Sequence, residues 1–387
     1  MARLGDVCDV FAGQGAPQGA DNYCDSKNGT PFIKAGDLSD LLSGKLECEI
    51  QCVTDDVAQK HKLKLYPAGS ILFAKSGMSC MKGYVYRIQN PSYVVSHLAI
   101  LVPKKVDGEY LKFYLEFHKP NSLIKDSAYP SISLQDISNM ELNVPCLEKQ
   151  KEFANNLQRI NKLITFRKQQ LSTLEDLVKS RFIEMFGDPE TNPMGWVKET
   201  LCNHLNVVGG YAFKSELFAE EGIPVLRIGN INAGYFQPIN MVYWKQDDSL
   251  SRYMMYAGDL VMSLTGTVGK DDYGNVCILG NDYDCYYLNQ RNAKLELFNS
   301  LDKCYLSQIL KFPAVKKKLT GISRGVRQAN ISNKDILNLE IPIPPIDLQN
   351  EFASFVEQTD KLKFDNLSWL VKVRRFLYNY RCLGVCL

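Results

Sequence analysis

The chain has 387 residues, 45% of them hydrophobic, with 45 Lys and Arg against 43 Asp and Glu for a net charge of +2. That length suits two or three domains of ordinary size, and the composition excludes a disordered or fibrous chain. Near-neutral charge does not announce a nucleic-acid partner, but it does not exclude one, because binding depends on local clusters rather than on the total.

Taken in chain order, Met1 to Pro17 show no basic stretch followed by an apolar one, and no run approaches a membrane span. A cytoplasmic, membrane-free protein is therefore expected. Phe11-Ala12-Gly13-Gln14-Gly15 has the form of a methyltransferase cofactor loop, but a lone Gly-rich match is weak. A domain-entry turn is the better reading. Ser70–Ala74 and Val94–Val102 read as strands, with His97 as a packed core residue of the second. Tyr110–His118 reads as a short helix stopped by Pro120.

A long helix is predicted from about Glu148 to Phe186. Glu148 and Glu152 favour its start, Lys179 and Arg181 its end, and Gly187-Asp188-Pro189 stops it. Its apolar stripe is Phe153, Leu157, Ile160, Ile164, Leu171, Leu174 and Val178, interrupted by Arg167, which is a coiled-coil spacing.

Further on, Asp259–Leu264 and Ala293–Leu297 read as strands, and Asp302–Phe312 as a helix stopped by Pro313. A second long helix follows Pro342-Ile343-Pro344-Pro345, with Asp347 suited to cap it. Its stripe is Phe352, Val356, Leu370, Val373 and Leu377, weakened by Thr359, Lys363 and Asn366. Each stripe could pack on its own globular domain. Packing of helix on helix is favoured, because the stripes recur at equivalent places.

That recurrence extends over the whole chain. Gly29-Thr30-Pro31-Phe32-Ile33-Lys34-Ala35-Gly36-Asp37 returns as Gly222-Ile223-Pro224-Val225-Leu226-Arg227-Ile228-Gly229-Asn230. Ala68-Gly69-Ser70 matches Ala257-Gly258-Asp259, and Ile132-Ser133 with Asp136-Ile137 matches Ile331-Ser332 with Asp335-Ile336. Gln150 and Glu152-Phe153-Ala154 match Gln349 and Glu351-Phe352-Ala353. Four ordered blocks with small drift mark a duplicated domain-plus-helix unit, and the period is far too long for a solenoid. The expected division is a first globular domain at 1–147, a helix at 148–187, a second domain at 188–346 and a second helix at 347–387.

Catalytic and metal signals are weak. Twelve cysteines include no CxxC pair, and Cys48/Cys52 and Cys382/Cys386 lack nearby histidines, so unpaired thiols are expected. His61, His97, His118 and His204 show no ligand spacing, and Gly266-Thr267-Val268-Gly269-Lys270 has the wrong spacing for a nucleotide-binding loop. Asn90-Pro91-Ser92-Tyr93 looks like a damaged adenine-methylation motif without a counterpart in the second half.

Ser180-Arg181-Phe182-Ile183-Glu184-Met185-Phe186-Gly187-Asp188-Pro189, with Asn192-Pro193 and Gly195-Trp196, resembles the junction between central helix and second domain in the specificity subunits of type I restriction-modification enzymes. Gly258-Asp259-Leu260, Asn289-Gln290-Arg291 and Arg324 to Ser332 are similar to recognition-domain motifs of that family. The tail from Tyr378 to Leu387 departs from it, because it does not repeat the Glu-Met-Phe-Gly ending of the first helix. The resemblance implies an α/β fold: two target-recognition domains joined by two long antiparallel coiled-coil helices in a pseudo-twofold repeat. It further implies a non-catalytic subunit that reads a split, asymmetric target on double-stranded DNA. Two modification (methyltransferase) subunits and the restriction (translocase and endonuclease) subunits would be the partners. No cofactor is expected in this chain, while S-adenosylmethionine, ATP and Mg²⁺ would belong to those partners. A protein-only repeat adaptor and a stand-alone DNA methyltransferase are the alternatives.

Base reading needs hydrogen-bonding side chains on base edges, and affinity needs charge on phosphates. In the second domain the candidates are Thr265, Thr267, Lys270, Gln290, Arg291, Arg324, Arg327, Gln328 and Asn330, with Lys316 and Lys317 for phosphates. In the first they are Lys75, Ser76, Lys82, Tyr129 and Ser131. Asp126-Ser127-Ala128-Tyr129 stands where the second domain has its Arg-rich loop, so the first half is expected to read by hydroxyls and Tyr.

Overall fold

A computed structural model describes residues 1–25, 28–267, 272–321 and 328–383. The chain divides into two compact units, Met1–Phe166 with Arg375–Leu387, and Arg167–Arg374.

The main strands of the first unit are β1 (Cys8–Ala12), β2 (Thr30–Ile33), β3 (Cys52–Val53), β4 (Ile71–Ala74), β5 (Val85–Arg87), β6 (Tyr93–Val94) and β7 (Leu98–Pro103). Its helices include α1 (Gly108–Phe117), α2 (Leu134–Ser138) and the long α3 (Leu147–Phe186), which runs on into the second unit. An antiparallel sheet takes the order β1-β7-β4-β5, and a smaller one the order β3-β2-β6 with β2 and β6 parallel. Strand β4 is buried along its whole length, which is why Ile71-Leu72-Phe73-Ala74 shows no polar alternation.

The second unit carries β8 (Leu205–Gly209), β9 (Ile223–Leu226), β10 (Tyr243–Trp244), β11 (Met254–Met255), β12 (Leu260–Ser263), β13 (Thr265–Thr267), β14 (Val276–Ile278), β15 (Tyr286–Leu288), β16 (Asn292–Leu297) and β17 (Gln328–Asn330). Its helices are α4 (Lys303–Ile309), α5 (Pro313–Thr320), α6 (Asn333–Leu337) and α7 (Ile346–Leu383). The sheets repeat the first unit: β8-β16-β12-β14 is antiparallel throughout, and β10-β9-β15-β11 again has its parallel pair, β9 with β15. The duplication read from short sequence blocks is thus a duplication of topology.

Those blocks recur because they do the same local work. Asp37 accepts the Lys34 N–H at 2.7 Å, and Asn230 accepts the Arg227 N–H at 3.0 Å, each closing the turn after its strand. Ser133 and Ser332 cap α2 and α6 through the N–H groups of Asp136 and Asp335. Gly13 and Gly210 leave room for a neighbouring strand: a Cβ there would lie 2.1 Å from the Val95 carbonyl oxygen or 2.2 Å from that of Asn289. At Gly13 the structure thus supplies a packing reason for the glycine, between the end of β1 and the Gln14 bridge to Val95.

The glutamines just inside the long helices show the repeat most closely. Gln150 accepts the Asp107 N–H at 2.7 Å and donates to the Pro145 carbonyl at 2.7 Å. Gln349 accepts the Asp302 N–H at 2.8 Å and donates to the Pro344 carbonyl at 2.8 Å. Both are buried. Each amide ties the start of a long helix to the residue whose carboxylate caps the domain helix, Asp107 for α1 and Asp302 for α4.

Two expectations need correction. Val94–Val102 is not one strand: a turn closed by the Leu98 N–H on the Val95 carbonyl separates β6 from β7 and leaves His97 exposed rather than packed. Pro313 also does more than end a helix. It opens α5 at a first-turn position that needs no N–H, so Lys316, Lys317 and Lys318 are helical.

The apolar stripes are the more buried faces of both long helices, with Leu157, Val178, Phe352 and Leu370 buried and Phe153, Ile160, Ile164, Leu171, Leu174, Val356 and Val373 partly so. Leu377 falls among side chains outside the described set. The ends of the stripes serve the globular cores: Leu157 belongs to the first unit's core, with the Phe153 ring edge-on to Tyr110, while Val178, Phe182, Phe186 and Phe352 belong to the second's. Phe182 and Phe186 pack there against Tyr305 and Phe352, because large rings fill the wedge between helix and sheet.

Candidate nucleic-acid interface

In both units the strand that leaves the middle of the large sheet runs into an exposed edge. In the second unit β12 continues through Leu264 into β13, which pairs with β17 in the register Thr265 with Asn330, Gly266 with Ala329 and Thr267 with Gln328. The Ile331 N–H donates to the Leu264 carbonyl at 2.8 Å, and the Leu264 N–H donates to the Arg291 carbonyl at 2.8 Å. The turn Asn289-Gln290-Arg291-Asn292 is thereby held against the start of β13. Thr267, Gln290, Arg291 and Asn330 are exposed there, and Thr265 is partly exposed. The Thr267 N–H is taken by the Asp272 carboxylate at 2.8 Å, which ties the end of β13 to Asp272.

The first unit builds the same edge from fewer residues. Ser76 and Ser131 form an isolated antiparallel bridge at the positions of Thr265 and Asn330. The Ile132 N–H donates to the Lys75 carbonyl at 2.7 Å, and the Lys75 N–H donates to the His97 carbonyl at 2.9 Å. Ser76 Oγ lies 2.9 Å from His97 Nδ1. Ser131 and Lys82 are exposed, Lys75 is partly so, and Tyr129 is 82% exposed. Met78, 71% exposed, follows in the short turn after Gly77.

The sequence candidates therefore sort into groups. Lys75, Ser76, Tyr129 and Ser131 gather on one edge, and Thr265, Thr267, Gln290, Arg291 and Asn330 on the other. Gln328 lies in β17, but its side chain is outside the described set, as are residues Lys270, Arg324 and Arg327. Lys316 departs from its expected role: its side chain is buried, and its ammonium donates to Asn275 Oδ1 at 2.7 Å. On a helix whose other face packs into the core, an inward lysine needs such an acceptor. Lys317 and Lys318 face solvent.

Among the described residues no group of three or more His, Cys, Asp or Glu side chains could hold a metal ion. His204, buried, is satisfied by Ser300 at 2.8 Å and Glu199 at 3.2 Å. Burial pushes the Cys8 and Cys277 thiols up to about 12, far from a reactive thiolate. The ten cysteines from Cys8 to Cys304 are unpaired thiols. No described helix is long and apolar enough to cross a membrane.

A family model described as the type I restriction modification DNA specificity domain matches the chain twice, over residues 1–176 and 193–368. The chain belongs to that family. It is 24% identical over 319 residues to the type I restriction enzyme MjaVIII specificity subunit of Methanocaldococcus jannaschii, covering 76% of this chain and 70% of that protein. A putative MjaX specificity subunit of the same organism is 23% identical over 400 residues, covering 94% of this chain and 87% of the relative. In fold it is similar to the crystal structure of the type I S subunit from M. genitalium, with a TM-score of 0.58 at 14% identity, over 98% of this chain and 94% of that one. The chain is a specificity subunit that recognises a DNA target and is not the catalytic component. The adaptor and stand-alone methyltransferase readings are not favoured.

In the specificity subunit His97 is the residue beside this edge that sequence reading placed in a core. Its apolar neighbours Val94, Val95, Leu98 and Ala99 disguise it. The signal that finds it is the alignment of the two halves through their hydrogen bonds, which puts His97 where Arg291 stands in the second.

Proposed function

We propose that this specificity subunit reads a bipartite, asymmetric duplex target, one half-site with each recognition domain, 1–147 and 188–346. The helices at 148–187 and 347–387 form an antiparallel coiled-coil pair that sets the gap between half-sites and docks two modification subunits and the restriction subunits. S-adenosylmethionine, ATP and Mg²⁺ act in those partners. The observation that carries the reading is one backbone framework presenting unlike side chains at matched positions: Ser76, Ser131 and His97 in one unit, Thr265, Asn330 and Arg291 in the other. Identical readers would call for a palindrome, and unlike readers call for unlike half-sites.

Residue chemistry supports the assignment of roles. Arg291, Gln290 and Asn330 suit guanine and adenine edges, while Thr265, Thr267, Ser76 and Ser131 offer hydroxyls to either. Tyr129 offers a ring and a hydroxyl, and Lys75, Lys82 and Lys317 suit phosphates. Lys270, Arg324, Arg327 and Gln328 remain assigned to the second reader on sequence grounds.

Two contacts support the helix pairing. Arg181 bridges Glu351 at 3.0 Å, and Arg167 donates to Asn366 Oδ1 at 2.5 Å with its guanidinium 5.5 Å from the Trp369 ring centre. Moving back along α3 from Arg181 to Arg167 moves forward along α7 from Glu351 to Asn366, the sense of an antiparallel pair. Arg167 and Asn366 are equivalent residues of the repeat, so they mark the point where the duplicated helices face their own counterparts. A helix of 40 residues spans about 60 Å, longer than the roughly 34–36 Å between successive major grooves.

The test is co-expression with the modification subunit, followed by genome-wide mapping of methylated adenines. The expected result is a split motif with unlike halves. A continuous motif, or none in a properly assembled complex, overturns the proposal.

A further inference from the structure

We infer that His97 is a specificity-determining residue, reading one base pair of the half-site assigned to the first unit through its imidazole Nε2. This rests on the two-reader proposal and goes further by naming a residue and an atom.

The argument starts from backbone equivalence. The Lys75 N–H donates to the His97 carbonyl at 2.9 Å, as the Leu264 N–H donates to the Arg291 carbonyl at 2.8 Å. One residue earlier, the Ser96 N–H donates to the Gln14 carbonyl at 2.7 Å, as the Gln290 N–H donates to the Tyr211 carbonyl at 2.9 Å. His97 and Arg291 thus leave the same turn beside the same edge strand. Both side chains are exposed.

An exposed histidine is ordinarily free to rotate, but this one is held. Ser76 Oγ sits 2.9 Å from Nδ1, and Ser76 is itself fixed by its bridge to Ser131. Among the described residues Nε2 has no hydrogen-bond partner. A ring pinned at one nitrogen and open at the other is oriented in advance, which lowers the cost of ordering it on DNA. The serine hydroxyl can donate or accept, so it holds the ring in either tautomer. With Nε2 protonated the ring reads an acceptor such as guanine N7 or O6, adenine N7 or thymine O4. With Nε2 bare it reads the amino group of adenine or cytosine. Met78 and Tyr129 expose large apolar surface on the same edge, suited to base and methyl contacts.

The experiment compares wild type, H97A, H97N and R291A, each co-expressed with the modification subunit, by methylation mapping. Complex assembly and thermal unfolding are measured alongside. H97A is expected to assemble normally and relax one position of one half-site by about 10-fold in discrimination, the size of one lost base contact. H97N, which retains a hydrogen-bonding group, is expected to change preference at that same position. R291A is expected to relax only the other half-site. If H97A and H97N keep the wild-type motif with full discrimination while R291A relaxes its half, the inference fails and the two-reader proposal stands. If both His97 variants assemble yet lose both halves, the role is structural and the inference also fails. If wild type itself gives no split motif, it is the parent proposal that fails.

Discussion

The joint between sheet and long helix and the edge beside the strand ends are both present twice, and they differ in what the repeat preserves. At the joint the side chains themselves recur. Gln150 and Gln349 make the same two bonds, and Tyr110 and Tyr305 each donate to a backbone carbonyl at 2.7 Å, on Asn143 and Pro342. At the edge only the backbone bonds recur, while Ser76 becomes Thr265, His97 becomes Arg291 and Ser131 becomes Asn330. The reason is hydrogen-bond accounting. Backbone N–H and C=O groups at the joint are satisfied by those side chains, so losing one strands a polar group. At the edge the backbone bonds run mostly from strand to strand, which leaves side chains such as Ser131, Gln290, Arg291 and Asn330 free to be chosen for their target.

That contrast can be broken most forcefully at the positions where even a methyl group does not fit. Gly13→Ala and Gly210→Ala would drive a Cβ to 2.1 and 2.2 Å from backbone carbonyl oxygens that cannot swing aside. Each is expected to cost about 3 kcal/mol or more by denaturant unfolding. Gly15→Ala, with nothing within 4 Å of the added carbon, should stay within about 0.5 kcal/mol. A tolerant Gly210→Ala would mean that Gly210 does not approach the Asn289 carbonyl as closely as described.

The joint itself comes next in size. Gln349→Ala strands the Asp302 N–H and the Pro344 carbonyl and also removes a 3.3 Å bond to the Ser300 carbonyl, whereas Gln150→Ala strands only its two equivalents. At roughly 1–3 kcal/mol for an unsatisfied buried group, offset in part by relaxation and water, about 3 kcal/mol is expected for Gln349 and about 2 for Gln150. Methylation specificity at the half-sites should be unaltered wherever the variant remains folded. A relaxed half-site in a stable Gln variant would show that joint and reader are not separate.

Joint and edge were unequally legible in the sequence. The repeat blocks at Gly29, Gly69, Ser133 and Gln150 are nearly all frame: capping serines, turn glycines and the clamp glutamines. Such residues are dictated by backbone geometry and so recur visibly. Both long helices were legible for a similar reason, with proline, glycine and charge marking their ends. The edge was legible only in part: many of its residues stood among the candidates, but its pairings did not show, because its bonds join residues far apart in sequence. His97 read as core because a strand pattern cannot show a turn cut into it at Val95, and Lys316 read as surface because lysine usually is. The polar breaks in the stripes, Arg167 and Asn366, looked like weaknesses until their contact put them together.

Lys316 and Lys317 give the smallest and finest version of the comparison, since adjacent lysines fall on opposite sides of it. Lys316 donates to Asn275 from a buried position, and Lys317 is exposed on the next step of the same helix. Lys317→Ala should leave thermal stability unchanged within about 0.5 kcal/mol. It should lower DNA affinity uniformly across sequences, and the slope of log K against log salt should fall by about 1. Lys316→Ala should do the reverse, costing roughly 1–2 kcal/mol of stability with the salt slope intact. The measurement is binding of the assembled complex to duplex over a salt series, beside unfolding of each variant. A reduced slope for Lys316→Ala would mean that its ammonium leaves Asn275 for a phosphate on binding, and that this helix contributes two charges to the DNA rather than one.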